Sequence, residues 1–158
     1  MNYCKANEFC ESIFDGTHDS PKYLPHGHKL ITSKHITNGL DIGSAQSISD
    51  QDFNDINKRS KVRKFDVLFS MIGTVGNTYL IKSNPSFAIK NIGVFRAKTE
   101  LDAKYLNLFF QSTVFKGTVI SNLVGSTQKF IGLNQLRNIE IALPENELMK
   151  RTSIFFPS

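Results

Sequence analysis

The stretch Phe65-Asp66-Val67-Leu68-Phe69-Ser70-Met71-Ile72-Gly73-Thr74-Val75-Gly76-Asn77-Thr78-Tyr79-Leu80-Ile81-Lys82 sets the reading of the whole chain. It holds two short apolar runs, Val67 to Ile72 and Asn77 to Lys82, on either side of a glycine-bounded tetrapeptide. Runs of that length flanked by turn formers read as strands. Gly73-Thr74-Val75-Gly76 lacks the Gly-Lys-Ser/Thr ending that places an amine and a hydroxyl on phosphates, so it reads as a turn and not as a nucleotide loop. Its two glycines permit positive φ or the close approach of another backbone.

Working outward, a third strand is expected at Ile92 to Ala97. Upstream, Ser49 can cap a helix from about Asp50 to Asn57, with Asp50 and Asp52 at its positive end. Lys29 to Ile36 reads as a strand followed by a hairpin-like Asn38-Gly39. Asp15-Gly16-Thr17-His18-Asp19-Ser20-Pro21 is dense in turn formers and reads as a surface loop, preceded by a short helix near Ala6 to Glu11. Downstream, Asp102 can cap the longest helix, with Tyr105, Leu108, Phe109 and Ser112 on one side and Leu106, Phe110 and Val114 flanking it. A polar stretch, Gly125 to Lys129, leads to a helical turn at Leu133 to Arg137 and a strand from Asn138 to Leu143 that stops at Pro144. The expectation is a mixed α/β domain in which strands outnumber helices.

A chain of 158 residues, 40% apolar and 21% charged, is long enough for one domain with its own core and far from the disordered composition. No apolar run approaches the roughly 20 residues of a membrane span. The first residues lack the order of a signal peptide, so the expected location is the cytoplasm. Cys4 and Cys10 form neither a disulfide framework nor a zinc knuckle. The net charge of +5 and pI near 9.3 favour a polyanionic partner. Five cations, Lys58, Arg59, Lys61, Arg63 and Lys64, fall within KRSKVRK, which is either a solvated helix end or a phosphate-contacting patch.

Other motifs carry little chemistry. Asn84-Pro85-Ser86-Phe87 is similar to the tetrapeptide with which amino-group DNA methyltransferases hold a flipped adenine, but Ser86 replaces a proline and no glycine-rich turn upstream could hold S-adenosylmethionine. It reads as a proline turn between two strands. His26 and His28 could supply two metal ligands, yet neither His18 nor His35 completes a familiar spacing. No metal, cofactor or catalytic group is expected.

Five segments follow one another along the chain: Asp15 to Tyr23; Ile31 to Ile42, ending Asn38-Gly39-Leu40-Asp41-Ile42; Phe65 to Ser70 running into Gly73 to Gly76; Gly125-Ser126-Thr127-Gln128-Lys129-Phe130-Ile131; and Leu136 to Pro144. Together they resemble the target recognition domain of type I restriction-modification specificity subunits. The resemblance implies a single α/β (α+β) domain with a twisted, mostly antiparallel sheet and a few helices. It also implies sequence-specific binding of double-stranded DNA at one half of a bipartite target, by a chain that is not an enzyme. The partners implied are a methyltransferase (modification) subunit and a motor-nuclease (restriction) subunit.

Such a reader needs cations on phosphates and polar side chains on base edges. Lys58, Arg59, Lys61, Arg63 and Lys64 are the candidates for the first role. Ser126, Thr127, Gln128 and Lys129 form a polar loop suited to either role, and Thr17, His18, Lys22 and Tyr23 form a second. Residues 1–144 read as the recognition domain and 145–158 as the truncated start of a spacer helix, which implies a half-subunit with a possible second half, a silent cassette or a truncated gene. The competing readings are a fragment of an adenine DNA methyltransferase and a basic protein-interaction module.

Overall fold

The computed structural model describes residues 2–119, 121 and 129–143. Strands β5 (Val67–Ser70) and β6 (Thr78–Leu80) pair antiparallel, with Val67 opposite Leu80 and Phe69 opposite Thr78. The turn between them uses its glycines as anticipated, Gly73 at φ +74° and Gly76 at φ +96°. Ser70 locks it, its hydroxyl donating to the Thr74 carbonyl at 2.6 Å and accepting from the Asn77 N–H at 2.9 Å.

On the other side of β5 runs β8 (Ile92–Ala97), antiparallel, and beyond it β2 (Cys10–Asp15), giving the order β2-β8-β5-β6. Every residue of β5 is buried because both faces of this sheet are covered. Val67 and Phe69 point into one apolar cluster with Phe95, Phe110 and Phe115, while Leu68 points into another with Ile31, Ile36, Ile89 and Val94. An unbroken apolar run therefore serves two cores by simple alternation.

The first of these cores is closed by α3 (Glu100–Gln111). The cap is Thr99, whose hydroxyl accepts from the Asp102 N–H at 3.0 Å, so Asp102 lies in the first turn and is not the cap the sequence suggested. The buried stripe is Ala103, Leu106 and Phe110, while Leu108 is 52% exposed and Val114 72% exposed. Tyr105 and Phe109, expected on one side together with Leu108, are half-buried at the edge of this stripe. A single helix seen alone has a broad apolar arc, and the neighbouring sheet selects the part that is covered. Phe69, Phe95, Phe110 and Phe115 pack with ring centroids 4.8–6.3 Å apart in tilted and edge-on arrangements.

In a smaller sheet, β3 (His28–Ile31) pairs antiparallel with β4 (Gln46–Ile48) and parallel with β7 (Ala88–Ile89), giving the order β4-β3-β7. The strand expected to reach Ile36 ends at Ile31. Ser33–Ile36 instead wind into a 3-10 turn, because the Thr32 N–H donates to His35 Nδ1 at 2.9 Å and the His35 N–H to the Thr32 carbonyl. Gly39 does turn the chain, at φ +78°, but β3 meets its antiparallel partner only at Gln46, so Asn38-Gly39 is not a tight hairpin.

Helix α2 (Asp50–Ser60) begins at Ser49 as expected, the Ser49 hydroxyl accepting from the Asp52 N–H at 3.1 Å. It runs on to Ser60, past the anticipated Asn57, which places Lys58 and Arg59 in its last turn at the negative end of the dipole.

Near the ends of the described chain, β1 (Tyr3–Lys5) pairs with β9 (Glu140–Ala142). The first helix, α1 (Ala6–Phe9), stops before the expected Glu11 because Cys10 onward is recruited by β8. α4 (Leu133–Arg137) falls where it was expected. Cys4 and Cys10 are both free thiols, and burial pushes the Cys10 thiol up to about 12. Among the described residues the architecture is mixed α+β, and the strands named here pair antiparallel except β3 with β7. No described helix is long and apolar enough to cross a membrane. The expected spacer segment 145–158 lies outside the described residues.

Candidate nucleic-acid interface

The basic stretch is the last turn of α2 followed, from Lys61, by a loop whose backbone is clamped, and its cations point outward. Asp66, 1% exposed, receives two hydrogen bonds from Arg96: Nε to Oδ1 at 3.0 Å and Nη2 to Oδ2 at 2.8 Å. It also accepts from the Arg63 N–H at 2.8 Å. Arg96 Nη2 donates as well to the Lys61 carbonyl at 2.9 Å, and the Arg96 guanidinium lies over the Phe14 ring.

Further along, the Lys64 N–H donates to Asn84 Oδ1 at 2.9 Å and the Phe65 N–H to the Ile81 carbonyl at 2.7 Å. These ties hold Phe65 at φ +71°, a conformation a bulky residue adopts only where its surroundings impose it. The side chains of Lys58, Arg59, Lys61, Arg63 and Lys64 are all exposed. Lys58 is partly neutralised by Asp55 at 3.2 Å, and Lys64 Nζ rests over the Phe65 ring.

The second candidate loop begins where β2 ends. Its root is pressed onto the corner between β7 and β8: the Gly16 N–H donates to the Ile92 carbonyl, the Thr17 N–H to the Ile89 carbonyl, and the Asn91 N–H back to the Thr17 carbonyl. A Cβ on Gly16 would meet the Ile89 carbonyl oxygen at 2.4 Å, so only glycine fits. His18 is then held at both ring nitrogens, Nε2 against Asp15 Oδ2 and Nδ1 against Asn91 Oδ1, each at 2.7 Å. The Asp15 carboxylate beside it raises its pKa, with burial opposing and Asn91 and Asp19 adding to the rise. Lys22 and Tyr23 are exposed, just ahead of the Leu24 N–H bond to the Ser47 carbonyl.

A cleft of about 450 Å³ separates this loop from α2, lined by Thr17, His18 and Arg59 together with Asp15, Asp19, Asp52 and Asp55. The fold thus brings Arg59 to the Thr17-His18 loop, but in an acid-lined cleft that disfavours phosphate.

Of the third loop only Lys129 is described. It is exposed, and its carbonyl accepts from the Gly73 N–H at 2.9 Å, which ties it to the β5–β6 turn. Ser126, Thr127 and Gln128 lie outside the described residues.

The candidates therefore do not form one cluster. Thr17, His18 and Lys129 lie toward the Ile92 end of β8, and Lys61, Arg63 and Lys64 toward the Arg96 end. Those strand ends are about 13 Å apart at the rise of an extended residue. Sequence reasoning missed Arg96 and Asn91. The one signal for Arg96 was a cation inside an otherwise apolar strand, Ile92 to Ala97.

The remaining motifs have structural places. Phe87 is 4% exposed in the core and Asn84 is bonded to the basic loop, so the Asn-Pro-Ser-Phe stretch is an inter-strand connection. His28 stacks on Phe53, with centroids 3.8 Å apart, and its Nε2 lies 2.9 Å from Asp50, tying α2 to β3. Among the described residues no group of three or more His, Cys, Asp or Glu is placed to hold a metal ion.

Comparison with known proteins gives concordant results. The chain is 25% identical, over 145 residues, to the type I restriction enzyme EcoBI specificity subunit of Escherichia coli, covering 84% of this chain and 29% of that protein. Among solved structures, it superposes with a TM-score of 0.66 and 18% identity on the HsdS subunit from Thermoanaerobacter tengcongensis. A chain of a type I R-M system solved for its assembly and conformational transition gives 0.68 and 17%. Each superposition spans 98% of this chain and 36% of the other, so this chain has the fold of about a third of those proteins. The family model described as the type I restriction modification DNA specificity domain matches residues 4–152, and the chain belongs to that family.

Proposed function

We propose that this chain reads one half of a bipartite double-stranded DNA target and so directs a methyltransferase subunit and a motor-nuclease subunit to it, while catalysing nothing itself. The observation that carries this reading is membership of the specificity-domain family over residues 4–152. The clamped cationic loop supplies a physical means. Because Arg96, Asp66 and Asn84 fix its backbone, the cations at 61, 63 and 64 are presented with less conformational freedom left to lose when they meet phosphates.

Base reading then falls to Thr17, Lys22 and Tyr23 and to Ser126 to Lys129, with no cofactor required. The place of action is the cytoplasm, and a second recognition domain would read the other half-site. Burial of Phe87 weighs against a base-stacking methyltransferase.

Selection of bound duplexes from a randomised pool by the purified chain at low salt should yield one short preferred sequence. Binding without preference, or none, overturns the reading. Transfer of labelled methyl groups to DNA by the chain alone overturns the non-catalytic assignment.

A further inference from the structure

Asp15 Oδ2 and Asn91 Oδ1 are both hydrogen-bond acceptors, and the His18 ring meets one with each nitrogen at 2.7 Å. A neutral imidazole carries one N–H and can satisfy only one of them; an imidazolium satisfies both. The two partners come from different elements, Asp15 from the end of β2 and Asn91 from the corner before β8, where it stands at φ +54°. The ring therefore spans the root of the loop and is the side-chain tie nearest to it. Beyond it, among the described residues, the loop has the Asp19 N–H bond to Thr17 Oγ1 and the Lys90 to Ser20 contact before Leu24 rejoins β4.

Charges facing the ring favour the imidazolium. Asp15 and Asp19 lie on its own segment, Asp52, Asp55 and Arg59 face it from α2 across the cleft, and Lys90 stands at the corner. Four carboxylates thus oppose two cations.

Resting on the DNA-reading proposal above, we propose that protonated His18 is a positioning residue: its double clamp between Asp15 and Asn91 sets the loop carrying Thr17, Lys22 and Tyr23 for DNA and makes affinity pH-dependent. His18 titrates above its ordinary value, chiefly through Asp15. A group raised on clamping keeps its contribution below the unclamped value and loses it as pH rises through the clamped one. DNA affinity should accordingly weaken on the alkaline side.

The test measures duplex affinity of the wild type, His18→Gln and Asp15→Asn from about pH 6 to about pH 8.5, with folding checked by amide NMR spectra. Wild-type affinity should fall about three- to tenfold across that range, as expected for one linked proton. His18→Gln should be flat and weak throughout. Asp15→Asn should weaken binding at neutral pH and move the fall to lower pH, with the His18 ring resonances titrating lower in parallel. If His18 instead touches phosphate directly, removing the Asp15 charge should tighten binding, and the positioning role is overturned. A wild-type profile that matches His18→Gln likewise overturns it, leaving the DNA reading intact. Absence of duplex binding at every pH is the distinct result that removes the DNA reading, and this role with it.

Discussion

Asp66 accepts three hydrogen bonds from two directions, two from the Arg96 guanidinium and one from the Arg63 N–H, while being almost completely buried. A carboxylate so placed is tolerable only while its partner remains. Arg96→Met should therefore destabilise the chain by about 3–5 kcal/mol, read as a shift of the urea midpoint. Replacing a surface cation such as Lys61 should change stability by less than about 0.5 kcal/mol. A small effect of Arg96→Met would mean that the Lys61 to Asp66 backbone is held without the guanidinium. Asn84 is a second residue whose weight lies in one contact, since its amide oxygen accepts from the Lys64 N–H and joins the β6–β7 connection to the cationic loop.

At the scale of elements, α2 links the two candidate regions. Its first turn is anchored by Ser49 and by the His28–Phe53 stack, and its last turn delivers Lys58 and Arg59. Ser49→Ala removes a cap and should cost about 1 kcal/mol, measured by urea unfolding. Duplex affinity should barely change, because the substituted end is nearly three turns from Arg59. A larger loss of affinity than of stability would show that the N-terminal end of α2 itself meets DNA. Capping was legible in the sequence for this helix and misplaced by three residues for α3, where Thr99 and Asp102 are both competent caps. The choice fell to the first, as the chain leaves β8 at Ala97.

Across the whole molecule the cations are unequal. Lys58 is paired with Asp55, and Arg59 faces the acid-lined cleft, whereas Lys61 and Arg63 project from the clamped loop. Replacing Lys58, Arg59, Lys61 and Arg63 together by glutamine should weaken binding to all duplexes and reduce the log–log salt slope by roughly 0.9 for each phosphate no longer neutralised. Replacing Lys61 and Arg63 alone should account for most of that change. If the quadruple variant stays folded with affinity and slope unchanged, the phosphates are held elsewhere.

What the sequence determined by itself was whatever depends on neighbours along the chain. The β5–β6 hairpin with its glycine turn, strand β8, the Ser49 cap, the helix at Leu133–Arg137 and the outward cationic stretch all follow from local alternation, capping and turn chemistry. Tertiary structure decided what depends on partners far away in sequence. It turned Cys10–Asp15 into a strand by pairing it with β8, ended β3 at Ile31 so that β7 could lie beside it, and chose which arc of α3 is buried. It also set Arg96 against Asp66 across thirty residues and His18 against Asn91 across seventy-three. Such contacts leave no periodicity to read, because a buried ion pair or a clamped imidazole is specified by where strands end in space and not by spacing along the chain.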